Sequence, residues 1–571
     1  MPARDDLEFI TLEDFSPGIY DDWQGAGGAS PAPLGAAQLT GTVGCVSSPA
    51  GGLMAAPKRV NRLLQSVIDA RVDATSYPSD DAKMRITSFR ALSPVWDRTG
   101  KGVAEVGTPN PYPDNLFFGF EWYFKGVTNY VHKQRVRLYK MFLQSAADPA
   151  EGAVTTYDII SNATTTEFTT PFNFGYTSID LSRDNYSGPT TPGVAIAACM
   201  AMSNRDVLTR GYKSFPDSAT AAGADSVKTM TGLEQAGGFA GYALFGHQDR
   251  VVLLDRSVNY GHSTNGEVPT DMLCATAVND ILTTGVSLEC FVAENPGLMG
   301  AWASINASEA FFVKQQRGGF VMRGDIAYPT VVRLPSLTPT FDCVNIPCVA
   351  PDGRVVYGSR EGVFAWDGGE TSKHISSQLN GFFWNTGETS AFLHTKGSFA
   401  PFNGYVAAPN NFLWDSNTGG WWRLADPTTV PYTFYDVSAA GYLIGVPAYV
   451  SASRKILADY YDFSLGQTTF TWRSQPLRAT RGRVSRFREI DVLISGVGTV
   501  NVKITGINGA SDNVTFSVNS ATPVAQSLNI SVQAHDAYVD ITSTATSSSD
   551  PAPRVWRVAL GRDPQLMTAR S

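Results

Sequence analysis

Three aromatic-aspartate pairs, Trp366-Asp367, Trp414-Asp415 and Tyr461-Asp462, recur at spacings of 48 and 47 residues, and this period constrains the fold more than any other feature of the chain. Each pair ends a β-type run and is followed by a turn: Gly368-Gly369, Ser416 to Gly420, and Ser464-Leu465-Gly466. A hairpin of this kind can bury its aromatic ring between neighbouring sheets while the carboxylate accepts hydrogen bonds from the turn's N–H groups. A four-stranded unit with two apolar faces cannot cover both alone, so several must stack around an axis, which is the logic of a β-propeller. An open array of β-sandwiches is the structural alternative.

Other strand–turn–strand units extend the pattern. Gly241 to His247 is followed by Arg250 to Asp255, and Ala310 to Lys314 by Gly319 to Arg323. Gly353 to Gly362 leads into Val363 to Asp367, and Asn403 to Pro409 into Phe412 to Asp415 and Trp421 to Arg423. Ile456 to Asp462 with Phe470 to Trp472 suggests one more copy. Upstream, Met84 to Phe89, Leu116 to Phe124 and Tyr130 to Met141 are also of β type. In Tyr130 to Met141 the alternating basic residues are read as the wet face of a strand rather than as an anion-binding surface. Lys58 to Arg71 is the one predicted helix, with Val60, Leu63, Leu64, Val67 and Ile68 at helical spacing.

Both ends of the chain differ from this middle. Residues 1–57 are so rich in Gly and Pro that they read as an extended arm lying on other elements. Beyond Trp472 six short alternating strands are predicted, at Ile490–Ser495, Val500–Thr505, Val514–Val518, Leu528–Val532, Ala537–Thr542 and Arg554–Leu560, the pattern of a small β-sandwich. The expected organisation is all-β: an N-terminal arm (1–57), a multi-bladed β-propeller (58–472) with an inserted β subdomain around 105–200, and a C-terminal β-sandwich (473–571). The connection into the sandwich is basic, with Arg473, Arg478, Arg481, Arg483, Arg486 and Arg488. In an otherwise acidic chain these arginines are candidates for a subunit or domain interface, because guanidinium groups favour bidentate carboxylate contacts.

Composition narrows the function classes. The 571 residues exceed what one core usually supports. With 43% hydrophobic and 17% charged residues, disorder of most of the chain is not expected. A formal charge of -8 argues against a general nucleic-acid-binding surface, though not against a surface that nucleic acid passes. The acidic start lacks the features of a secretory signal, and no uncharged apolar stretch is long enough for a membrane-spanning helix, so folding in a cytoplasm without membrane insertion is expected. Six scattered cysteines are read as buried thiols rather than a disulfide framework, with pairing or zinc binding at Cys343 and Cys348 the less favoured option.

Taken together, these motifs resemble β-propeller tail proteins of bacteriophages, in particular the nozzle proteins that close the distal end of short tails. The likeness rests on Asp14 to Ile19 followed by Ala50 to Pro57, similar to a family arm in which a Phe-Ser-Gly motif precedes a Gly-Leu turn into the first blade. It rests further on the hairpins Gly362 to Gly369 and Trp414 to Trp422, and on Phe470 to Leu477 as the exit from the propeller. The resemblance implies a structural protein of the virion tail, assembled in the host cytoplasm. It implies a homohexameric ring below the portal and adaptor, in contact with tail fibre or spike proteins, around a channel through which genomic DNA leaves. The alternatives are a minor tail or tail-tip protein contacting the host, and a carbohydrate-active propeller enzyme.

No catalytic constellation is recognised in the sequence, and the chain is expected not to be an enzyme and to need no cofactor or metal. P-loop, HExxH, GxSxG and EF-hand patterns are absent, as are repeated Ser-x-Asp-x-Gly-x-x-Trp turns. Asp325, Asp342, Asp352 and Glu361 are loop acids of the type a glycosidase uses, here read as solvated. The six histidines, His132, His247, His262, His374, His394 and His535, are dispersed. His247 beside Asp249 and His262 beside Ser263 could be drawn into a triad, but proximity in sequence is poor evidence for one, and each histidine is read as a strand or loop residue.

Overall fold

The computed structural model describes residues 7–20, 33–64, 68–72, 82–92, 115–124, 134–140, 155–158, 193–203, 243–248, 250–254, 273–278, 280–288, 299–314, 318–334, 347–359, 362–369, 371–379, 397–424, 432–437, 443–447, 458–478 and 484–563. They form an all-β protein: a β-propeller, an extended N-terminal arm and a C-terminal β-sandwich. Among the described residues the only helical turn is the 3-10 segment Ser377–Leu379, and none of their helices is long and apolar enough to cross a membrane.

Among the described residues six sheets make the propeller. Blade I is the three-stranded sheet of Ala82–Leu92, Asn115–Phe124 and Gly193–Ser203. Blade II comprises Ala243–His247, Arg250–Leu254, Leu273–Ala277 and Asp280–Leu288. Blade III comprises Met299–Asn306, Glu309–Lys314, Gly318–Arg323 and Thr330–Leu334. Blade IV follows with Cys348–Val349, Val355–Ser359, Gly362–Trp366 and Ser372–His374, and blade V with Ala400–Phe402, Tyr405–Ala408, Phe412–Asp415 and Trp421–Arg423. Blade VI takes Tyr432–Val437, Leu443–Pro447 and Ala458–Gly466 from late in the chain and its fourth strand, Pro57–Leu64, from near the start. The first strand of each blade contacts the first strand of the next, and blade VI contacts blade I, so the ring closes. A separate small sheet joins Ile68–Val72, Gln134–Lys140 and Thr155–Asp158.

The ring closure corrects the predicted helix at Lys58 to Arg71, which is instead the strand Pro57–Leu64 followed by the strand Ile68–Val72. A 14-residue amphipathic helix is marginal by itself. The open edge of Ala458–Gly466 offers backbone partners along the whole segment, from Ala458↔Leu64 to Gly466↔Pro57, with the register shifting at three points. Tertiary pairing therefore overrides the helical spacing. The same closure means that the turn after the arm leads into the last blade, not the first.

The last suggested hairpin is also corrected. Ala458–Gly466 continues through the expected turn at Ser464 to Gly466, and Thr469–Arg473 leaves the propeller to pair with Asp536–Ala545. Phe470 and Trp472, two apart on that strand, are both buried, and Trp472 meets the arm residue Phe15 edge-on at 5.2 Å. Their burial draws the strand into the C-terminal core.

The C-terminal unit shares one nine-stranded sheet with arm strands Glu8–Leu12, Cys45–Ser47 and Leu53–Ala55. Four of the six predicted short strands merge into two long ones, Ser485–Gly506 and Ser511–Ala534. The first half of Ser485–Gly506 pairs with Arg554–Arg562 and the second half with Asp536–Ala545, so one bent ribbon supplies both layers of the sandwich. The register shifts between Ile494 and Gly496, and the two halves divide close to Gly498. Gly498 has φ +153° and approaches Thr544 O so closely that a Cβ would lie 2.1 Å from it. Only glycine fits there, and it lets the strand turn without ending.

The long strand Ser511–Ala534 pairs only with its hairpin partner among the described strands. Its own side chains cap part of the open edge: Asp512 Oδ2 accepts from the Ser531 N–H at 2.9 Å, and Gln526 Nε2 donates to Ser517 O at 2.7 Å. Such capping blunts an edge that would otherwise template pairing with another chain.

Candidate functional site: the blade seams and the arm cleft

Trp366, Trp414 and Tyr461 all lie on the third strand of their blades, in blades IV, V and VI. All three rings are buried. Trp366 stacks on Phe311 of blade III at 5.5 Å, and the Arg354 guanidinium of blade IV sits 5.0 Å over the Trp414 ring of blade V. The rings thus fill seams between successive blades. The carboxylates hold turns: Asp367 Oδ1 accepts from the Gly369 N–H, and Asp415 Oδ1 from the N–H groups of Asn417 and Thr418. Asp462 pairs in register with Lys58, and its side chain lies outside the described residues. Further polar clasps cross the seams. The Trp421 indole donates to Ile375 O at 2.8 Å, and the Tyr435 hydroxyl meets Asn411 Oδ1 at 2.9 Å.

The basic connection divides. Arg473 forms an ion pair with Asp540 at 2.5 Å and lies over the Tyr538 ring, so it ties Thr469–Arg473 to the neighbouring strand. Arg488 pairs with Asp563 at 3.1 Å, while Arg486 is exposed. The Arg478 side chain and residues Arg481 and Arg483 lie outside the described residues.

The other sequence candidates are dispersed. His247 ends the first strand of blade II and is buried, with Nδ1 2.8 Å from Ser304 Oγ on blade III. Ser304 Oγ also lies 3.3 Å from Asn306 O, so the serine hydroxyl is shared between the ring and its own turn. This pair joins two blades. Burial lowers the His247 pKa to about 4. His374 stacks on Phe364 and His535 is exposed, while His132, His262 and His394 lie outside the described residues. Asp325 caps the Ala327 N–H and Asp352 pairs with Arg354, whereas Asp342 and Glu361 are outside the described residues. Cys45 and Cys348 are free, buried thiols, and burial pushes the Cys45 thiol well above its ordinary range. Cys343 lies outside the described residues.

A site that the sequence did not reveal forms where the arm crosses blade V. The arm stays close because Gly18, at φ +69°, bridges Trp421, where a Cβ would lie 2.5 Å from the Trp421 nitrogen. Gln378 Nε2 donates to Ile19 O at 2.9 Å, and Gly44 N–H donates to Arg423 O at 2.9 Å. Between the arm and the turns of blade V lies a cleft of about 370 Å³. Its floor is buried: the Tyr405 hydroxyl donates to Ser47 O at 2.7 Å, and Ser47 Oγ lies 3.4 Å from Asp415 Oδ2. Burial and the nearby Asp415 charge raise the Tyr405 pKa, so its hydroxyl stays a donor at neutral pH. Glu13, Asp14, Asn403 and Asn417 form an exposed polar rim. Residues 13–16 and 47–52 supply one wall and residues 403–405 and 415–418 the other, so no local motif could have announced it.

No family model matches the chain, and no curated protein matches it. Among solved structures it is similar to an exo-β-1,3-galactanase from Phanerochaete chrysosporium, at 10% identity over 56% of this chain and 80% of that one, with a TM-score of 0.18. It is also similar to YCF48 bound to D1 peptide, at 10% identity over 57% of this chain and 94% of that one, TM-score 0.24. A third is the enzymatically active domain of bacteriophage CBA120 tailspike protein 4, at 13% identity over 21% of this chain and 15% of that one, TM-score 0.12. At such identities and TM-scores these likenesses say nothing of what this chain does. The expectation that the chain is not an enzyme is not upheld, since exo-β-1,3-galactanases stand among the structures to which it is similar.

Proposed function

We propose that this protein is a structural component of a bacteriophage tail: a nozzle subunit that forms a homohexameric ring around the DNA exit channel, below the portal and adaptor. The observation that carries this reading is mechanical. One continuous apolar core runs from the arm (Leu12, Phe15, Ile19) through blades IV to VI to the C-terminal sandwich (Val500, Val539, Leu560). Blades IV to VI and the sandwich are thereby packed on one shared core, as suits a part that acts by its shape. The net charge of -8 is compatible with a channel that lets phosphate pass without holding it. In this reading the partners are further copies of the chain, the adaptor and tail fibre or spike proteins, and the protein resides in the virion tail after assembly in the host cytoplasm.

Light scattering on the purified chain tests the oligomer directly. A mass near six times 61.4 kDa supports the ring, and a concentration-independent monomer overturns it. The cleft at the arm favours a second reading, a tail-tip protein that contacts the host. Binding of the isolated protein to host cells, without ring formation, would favour that alternative.

A further inference from the structure

The arm cleft has the size, the polarity and the unspent hydrogen-bonding groups of a ligand site. Its volume of about 370 Å³ falls within the range of small-molecule pockets, roughly 300–1,000 Å³, and would hold about a dozen waters at ~30 Å³ each. That is far more space than a single ion needs. The floor is committed, because Asp415 Oδ1 serves the turn amides and the Tyr405 hydroxyl serves Ser47 O. The rim is not: the side chains of Glu13, Asn403 and Asn417 make no hydrogen bond among the described residues.

Charge selects the class of ligand. Glu13, Asp14 and Asp415 line the cleft, while the Arg554 guanidinium donates to Ser48 Oγ at 2.6 Å and to Gly51 O on its wall, so charge of both signs stands at the site and neither a free anion nor a free cation is selected. Among the described residues no group of three or more His, Cys, Asp or Glu side chains gathers to hold a metal ion. What remains is a neutral molecule rich in hydroxyl donors, for which carboxylate and amide oxygens are strong acceptors. The Pro49 ring on the rim supplies an apolar patch for a C–H face.

We propose that this cleft binds a neutral saccharide, with one or two pyranose rings held between the arm and blade V. The inference goes beyond the ring reading and stands separately from it: a monomer that binds sugar overturns the ring alone, and a ring that binds none overturns the saccharide site alone.

Saturation-transfer NMR on the full chain, with methyl glycosides of glucose, galactose, mannose and N-acetylglucosamine as probes and glycerol as control, reads the site. At least one glycoside is expected to bind and glycerol is not. Both variants lie at exposed positions: Glu13→Gln replaces a charge-assisted acceptor by a neutral amide and Asn417→Ala removes an amide, and each is expected to weaken that binding about tenfold. Their circular dichroism and melting temperature should match wild type. Absence of binding by every glycoside, binding equal to that of glycerol, or undiminished binding by both folded variants overturns the proposal. Hydrolysis of a bound disaccharide would support the site and add a reaction to it.

Discussion

Replacing Phe15 by Ala tests how the arm is fastened. The ring is 1% exposed and meets Trp472 edge-on, with centroids 5.2 Å apart and planes at 88°. Truncating a buried phenylalanine costs about 3–5 kcal/mol, because transfer energy and packing are both lost. At 1.4 kcal/mol per factor of ten, opening of the arm becomes between about a hundredfold and a few thousandfold more frequent. The loss should be local at first, because Phe15 packs where the arm crosses Thr469–Arg473, a crossing also held by the Val43 N–H to Thr471 O bond at 2.9 Å, while the arm strands paired in the C-terminal sheet lie apart from the removed ring. Hydrogen exchange measured by mass spectrometry reads this out. Peptides spanning residues 37–47 and 469–473 should exchange faster by that factor, while the blade III strands Glu309–Lys314 and Gly318–Arg323 keep wild-type protection. Unchanged exchange in the arm would refute the packing argument. Equal acceleration in every blade would refute its local character.

Three further outcomes are expected. Gly18→Ala places a methyl against the Trp421 backbone at a positive φ, and should lower stability by about 1–3 kcal/mol, seen as a drop in melting temperature. Because burial depresses His247 from 6.5 to about 4, the unfolded chain takes up the proton first. Stability from this group is therefore intact above pH 6.5 and declines as pH falls towards 4; a His247→Gln variant should show a shallower loss over that window in thermal melts. Removing both edge caps with Asp512→Ala and Gln526→Ala should uncover the strand Ser511–Ala534 and raise self-association at high concentration, visible by sedimentation.

The parts of the fold that were legible in the sequence are those whose physics is local. Trp366 and Trp414 announce third strands because a buried ring, a turn-holding carboxylate and a glycine turn sit close together along the chain, while Tyr461 shares only the buried ring and the place in its blade. Where partners come from far away, local patterns mislead. Pro57–Leu64 looks helical in isolation because its partner strand starts about 400 residues later. Thr469–Arg473 looks like the end of a blade because the strand that claims it, Asp536–Ala545, comes afterwards. In the C-terminal unit the turns expected between short strands are bends within long ones, since Gly496 reads identically as a break or as a bulge. The cleft was invisible for the same reason: Glu13 and Asn417 meet only after the arm has crossed the propeller. The His247 and Ser304 pair likewise joins two blades across 57 residues.

The ring itself is the central claim, and electron microscopy of the purified protein examines it most directly. Class averages with six-fold symmetry and an open or plugged axial channel are the expected result. Isolated single propellers at every concentration, or rings without an axial passage, would contradict it.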